Sequence, residues 1–176
     1  MTDVTRQERE SRKLQNILST EQRLVSAMQV LNGEGSIQDR MDRLLCDCGV
    51  FFEADRAYVF ELSPDGRTGD NTYEWCRTGV TPQKAFLQKV DAHYIDGWRD
   101  RFSRHEAVIT PDLEAIRTER PNEYEILKMQ DVHSYVEAPL LSGGRLVGFI
   151  GVDNPAAEKI LYSKDILMYR TILDAL

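Results

Sequence analysis

The chain has 176 residues, with 22 Lys and Arg against 29 Asp and Glu, a formal net charge of −7, and 41% hydrophobic residues. These are the proportions of one globular domain with enough apolar material for a full core. An acidic chain lacks the phosphate-neutralising surface that nucleic-acid binding needs, no apolar run approaches the ~18–20 residues of a bilayer span, and the N-terminus is polar where a signal peptide is apolar. A cytoplasmic protein with no nucleic-acid partner and no membrane insertion is expected.

Residues 1–13 are almost entirely polar or charged and read as a frayed tail. From Leu14 the apolar positions become regular: Leu14, Ile17, Leu24, Met28 and Leu31 follow a three-four spacing, widened by Leu18 and Val25. That is an amphipathic helix over 14–31 with coiled-coil character, fit either to pack on its own domain or to form a homodimer. Asn32-Gly-Glu-Gly35 breaks it, and Ser36 caps a second helix carrying Ile37, Met41, Leu44, Leu45, Cys48 and Phe52. Arg56–Leu62 and Asn71–Cys76, rich in aromatic and β-branched residues, read as paired strands around the Ser63-Pro-Asp-Gly66 turn.

The middle of the chain is less regular. Phe86, Leu87 and Val90 suggest a short helix, and Tyr94, Ile95, Trp98 and Phe102 another. A brief strand is expected at Ala107–Ile109, a segment opened by Asp112, and a helix restarted by Pro121. His133–Leu141 and Arg145–Val152 then form a hairpin around Ser142-Gly-Gly144, its second strand apolar on both faces and therefore central. Ser163 caps a last helix, 163–176, with Ile166, Leu167, Ile172, Leu173 and Leu176. The sequence stops inside that apolar stripe, as an excised piece of a longer chain would, or as a natural end docked on the domain would.

Three stretches resemble the GAF domain family: Phe52-Glu-Ala-Asp-Arg-Ala-Tyr-Val-Phe60, Ser134-Tyr-Val-Glu-Ala-Pro-Leu140, and Gly143-Gly-Arg-Leu-Val-Gly-Phe-Ile-Gly-Val-Asp-Asn-Pro155 with its Leu-x-Gly core. The resemblance implies an α+β fold over 14–176. Its central antiparallel sheet of about six strands would carry N- and C-terminal helices on one face, with loops and short helices over a pocket on the other. It also implies a sensory or dimerisation module, with a downstream output domain such as a GGDEF-type diguanylate cyclase, a phosphodiesterase or a histidine kinase.

The special chemistries of that family lack their residues here. Cys76 is followed by Arg77 where bilin-binding members commonly have His, the Asn-Lys…Phe…Asp-Glu signature of cyclic-nucleotide binders is missing, and no cysteines cluster in pocket loops. Cys46 and Cys48, as C-x-C on a helix, read as small core residues, and neither metal nor cofactor is expected. No nucleophile, paired carboxylates or phosphate loop marks a catalytic centre. For an unknown small-molecule ligand, the candidate contacts are Tyr73, Trp75, His93, Tyr94, Trp98, Phe102, Tyr135 and Glu137, with Arg99 nearby in sequence. Alternation puts Tyr135 and Glu137 on one strand face. A Glu aimed at a covered face needs a partner, with Arg145 across the hairpin the favoured one, and Asp153 is expected to cap the Asn-Pro turn.

Overall fold

The computed structural model describes residues 3–94, 96–162 and 165–174, and the side chains of all of these except Asp3, Asp96, Trp98, Leu161, Tyr162, Ile172 and Asp174. Helix α1 (Asp3–Asn32) leads to α2 (Ile37–Phe51), β1 (Arg56–Leu62) and β2 (Thr68–Cys76). Then come β3 (Val90–Asp91), α3 (Asp96–Phe102), β4 (Val108–Thr110), α4 (Pro121–Lys128), β5 (Tyr135–Ser142), β6 (Arg145–Asp153) and α5 (Asp165–Asp174). The strands form one antiparallel sheet in the order β3-β2-β1-β6-β5-β4, which puts the doubly apolar β6 at its centre beside β1.

Strand alternation sorts two cores onto the two faces of the sheet. Ala57, Val59, Val136, Ala138, Ile150 and Val152 point to one face and meet Leu44, Leu45, Cys48 and Phe52 from the α2 region and Ile166 and Tyr169 of α5. Tyr58, Phe60, Tyr135 and Phe149 point to the other face, against Phe102, Leu113, Ile116, Leu127 and Val132 of the irregular cover. Helix α2 starts as expected, through a capping box in which Asp39 N–H donates to Ser36 Oγ and Ser36 N–H donates to Asp39 Oδ2, each at 3.1 Å. The β5–β6 turn holds Gly143 and Gly144 at φ of 56° and 77°, the double left-handed geometry of a two-residue hairpin. In the Leu-x-Gly core, a Cβ on Gly148 would meet the Phe60 carbonyl and lie 3.1 Å from Glu61 Cα, so only Gly lets β6 close on β1.

Two expectations are corrected. Residues 4–13 continue α1 as helix where a frayed tail was expected; their side chains are exposed, and the register is held locally, for example by Arg6 donating to Glu10 at 3.1 Å. Phe86, Leu87 and Val90 do not share a helix: Phe86 closes a turn and Val90 pairs with Gly69 as an edge strand, its two-residue length giving no periodicity to read. The stripe of α1 is split, since Ala27 and Leu31 are buried on the domain while Leu14, Ile17, Leu18, Val25 and Met28 stay exposed. The expected Ser163 cap lies outside the described residues. Among the described residues, no helix is long and apolar enough to cross a membrane.

Candidate functional site

On the sheet face away from α2 and α5, β1, β2, β5 and β6 floor a chamber of about 30 Å³, roofed by the segments around Leu87 and Leu127. This volume holds one or two water-sized groups. Phe60, Leu87, Val90, Ile126, Leu127 and Phe149 supply its apolar wall. Its polar wall is Tyr58, Asn71, Glu74, Glu137 and Asp153. Asn71, Glu137 and Asp153 are only 2%, 1% and 2% exposed, so each polar atom there must find a partner inside the protein.

Part of that demand is met. Arg56, also buried, donates from Nε to Asp153 Oδ2 at 3.0 Å, from Nη1 to the Thr81 carbonyl at 3.0 Å, and from Nη2 to the Gln130 carbonyl at 2.5 Å. One guanidinium thus ties β1 and β6 to both segments of the cover. Tyr58 donates its hydroxyl to Glu137 Oε1 at 2.6 Å. Glu74 accepts from the backbone N–H groups of Gln83 and Lys84 at 2.9–3.0 Å, which fastens the cover loop to β2. Outside the chamber, Arg120 donates to Glu123 at 2.8 and 3.0 Å, and the Tyr135 hydroxyl donates to the same carboxylate.

Among the residues lining the chamber, three acceptor atoms are buried with no hydrogen-bond partner: Asn71 Oδ1, Glu137 Oε2 and Asp153 Oδ1. The Asn71 amide nitrogen faces Glu74 Oε1 at 3.4 Å, which orients the amide oxygen away from that carboxylate. Tyr58 lies against both Glu137 and Asp153 but has a single proton to give. Burial pushes the Glu137 carboxyl well above the usual range; the Glu123 and Asp153 carboxylates add to the rise, and the Tyr58 hydrogen bond opposes it. Burial likewise raises Asp153 to about 6, against the pull of Arg56. Cys76, beside Glu74 on the same side of β2, is pushed up to about 11 by burial and then by the Glu74 charge, which leaves it a thiol at neutral pH.

The candidate contacts scatter when placed on this geometry. Glu137 lines the chamber. It does not pair with Arg145, because the register sets Glu137 opposite Gly151 and Arg145 opposite Ser142. Tyr135 shares its face but spends its hydroxyl on Glu123. Phe102 is core, its ring 5.6 Å from that of Phe149. Tyr73 and Trp75 stand opposite Val59 and Ala57 and pack on the α2 side, so they face away from the chamber. His93 lies on the surface, its Nδ1 2.8 Å from Asp91. Tyr94 lines an outer cleft described below. The Trp98 side chain lies outside the described residues, and Arg99 donates to the Gly66 carbonyl. Asp153 pairs with Arg56, and the turn is held instead by Asn154, whose Oδ1 accepts from His133 N–H at 2.7 Å.

Tyr58, Asn71 and Glu74 were missed from the sequence. The signal for Tyr58 was the alternation Ala57-Tyr58-Val59-Phe60, which sends both aromatics to one face. Asn71 and Glu74 carry no such mark, because a bulge in the β1–β2 register between Val59 and Phe60 decides which way they face.

A six-stranded antiparallel sheet with helices on one face and a loop-covered chamber on the other makes this an α+β domain. The chain belongs to the GAF domain family, whose model matches residues 36–166. Domains of this family are in general sensory, ligand-binding regulatory modules rather than catalysts. Solved structures agree on the fold. The chromophore-binding domain of a Stigmatella aurantiaca phytochrome superposes with a TM-score of 0.66 at 13% identity over 90% of this chain and 60% of that one. That of an unusual bacteriophytochrome from R. palustris gives 0.68 at 12% over the same shares, so the chain spans about 60% of either phytochrome fragment. A Synechocystis GAF domain in its photoproduct state gives 0.57 at 18% identity, over 80% of this chain and 98% of that one. No curated protein matches the chain.

Proposed function

We propose that this domain is a regulatory sensor: a small molecule enters beneath the cover, shifts it against the sheet, and the terminal helices relay the shift to an output domain in cyclic-dinucleotide or kinase signalling. The carrying observation is the set of three unpartnered acceptors in a buried chamber whose two cover segments are tied to the sheet by the Arg56 guanidinium. Signal has a short route out. Helix α5 packs on β5 and β6 and meets α1 through Arg23, which donates to Asp165 at 2.6 Å and stacks over Phe51. The two phytochrome neighbours are chromophore-binding domains, and a further neighbour is described with bound biliverdin. A bilin is not the ligand proposed for this chain, because a chamber of about 30 Å³ is far below the ~300–1,000 Å³ of an organic-ligand pocket and the Cys76 thiol is poorly ionised. A thermal-shift panel of metabolites tests the reading; a melting temperature that no compound moves refutes it.

A second role has its own support. The apolar stripe left exposed on α1 by Leu14, Ile17, Leu18, Val25 and Met28 suits a homodimer through a second copy of α1. Light scattering on the wild type and on a Leu14→Glu/Leu18→Glu variant checks it, since both positions lie clear of the domain core. Twice the monomer mass, halved in the variant, is expected, and a monomer at high concentration refutes it.

A further inference from the structure

The chamber does not end at its apolar wall. Leu87, Val90, Ile126 and Gln130 line both the chamber and a cleft of about 580 Å³ on the outside of the cover. Two large apolar side chains at that cleft, Phe86 and Met129, are each 76% exposed, although nothing in their own elements requires it. Tyr94 adds a third ring. A thin layer of four side chains therefore separates a cleft of organic-ligand size, where Phe86, Tyr94 and Met129 stand beside Gln83, Gln88, Lys89 and Asp91, from a chamber that fits one small head group.

The chamber selects the head group by sign and by hydrogen-bond count. Asn71 Oδ1 and the ionised oxygens Glu137 Oε2 and Asp153 Oδ1 are acceptors, so an occupant of the ionised chamber must donate. Its titratable lining is Tyr58 on β1, Glu74 on β2, Glu137 on β5 and Asp153 on β6; behind that wall lie Arg56 on Asp153, Cys76 beside Glu74, and Glu123 of α4 with its partner Arg120. Three carboxyl groups in the wall against the single guanidinium held by Asp153, with Glu123 already paired to Arg120, disfavour an anion and favour a cation. Among the described residues no cluster of His, Cys, Asp and Glu is arranged to hold a metal ion. A guanidinium is too large for about 30 Å³, and an alcohol brings one donor to three acceptors. An ammonium group is the size of a water molecule and carries three N–H donors.

We propose that chamber and cleft together take a primary amine, with its ammonium group among Asn71, Glu137 and Asp153 and its apolar body in the cleft beside Phe86 and Met129. This names the ligand class for the sensor reading above and rests on it. An amine entering by this route parts Leu87 from Ile126, the two halves of the cover, and so couples binding to the cover's position on the sheet. Because Glu137 must be ionised to hold the ammonium, affinity rises with pH as that carboxyl, whose burial holds its pKa well above the usual range, loses its proton, while an alkylamine itself stays protonated.

Thermal-shift and calorimetric titrations with propylammonium and 2-phenylethylammonium test the proposal, with propanol, 2-phenylethanol and the trimethylated quaternary analogue as controls. The primary amines are expected to raise the melting temperature by about 5 °C near saturation, phenylethylammonium at lower concentration, with the three controls inert. Glu137→Gln is expected to weaken binding at least about tenfold, which removal of one charged hydrogen bond accounts for. Glu114→Gln, which removes an exposed carboxylate elsewhere, leaves binding unchanged. Equal shifts from the quaternary analogue, or unaltered binding by Glu137→Gln, overturn the proposal. Shifts from another compound class without any from amines also overturn it while leaving the sensor reading standing. A panel in which nothing binds overturns both and assigns the chamber to ordered water.

Discussion

Replacing Glu137 by Gln changes how stability depends on pH, and the size of the change follows from the chamber. A carboxyl whose pKa is raised by folding takes up a proton as the chain folds. Its contribution is fully present below the unfolded value and is lost as pH rises through the folded one. For Glu137 the loss begins at about 4.5 and for Asp153 at about 3.8, ending for Asp153 near 6, a span worth about 3 kcal/mol. Each carboxyl adds a slope approaching ~1.4 kcal/mol per pH unit within its window. The exposed carboxylates held low by hydrogen bonds, among them Asp39 and Asp65, act in the opposite sense but only at more acid pH. Wild type therefore loses stability as pH rises from 5 to 6, and Glu137→Gln makes that fall shallower, by at most the one-proton limit of about 1.4 kcal/mol or ~3–6 °C in melting temperature. The Gln still accepts from Tyr58 and brings donors to the orphaned oxygens, so it folds. Urea denaturation at pH 5.0 and 6.0 on both proteins decides. Parallel slopes, or a wild type that grows more stable across this interval, refute the reasoning.

Gly151→Ala places a Cβ 2.5 Å from the Tyr58 hydroxyl oxygen and 2.8 Å from Glu137 Cγ, so a loss of about 1–3 kcal/mol is expected in chemical denaturation, together with loss of amine binding. Arg56→Met leaves Asp153 buried without its cation and unfastens both segments of the cover; about 3–5 kcal/mol is lost, and proteolysis between Arg77 and Lys89 speeds up. At pH 8 the native Cys76 thiol alkylates about a hundredfold more slowly than in the denatured chain, since its pKa stands two units above the ordinary 9.0; peptide mapping after iodoacetamide labelling reads it out.

Elements with a strong period were legible in the sequence. The Ser36 cap, the apolar spacing of α2 and the Gly-Gly hairpin each fix a local geometry, and each stands where it was expected. The family and its sheet followed from β5 and β6, whose pattern fixes register as well as type. The chamber was less legible because it is assembled from single residues far apart in sequence. Glu137 betrayed itself as a charge on a strand with two covered faces, and alternation placed it correctly. Its partner did not follow from the hairpin, because the partner comes from β1 across β6. Tyr73 and Trp75 show the limit of composition: a large aromatic near the right loop is core or site according to one residue of register, and here they close on α2.

The chamber beneath the cover, and no other surface, is the proposed receptor for an amine. Amide chemical-shift mapping during a 2-phenylethylammonium titration tests this most directly. Shifts concentrated at Asn71, Val90, Gln130, Gly151 and Asp153, saturating with one site and absent in Glu137→Gln, are the predicted result. Shifts spread along the exposed face of α1, or unchanged by the Glu137 substitution, contradict it.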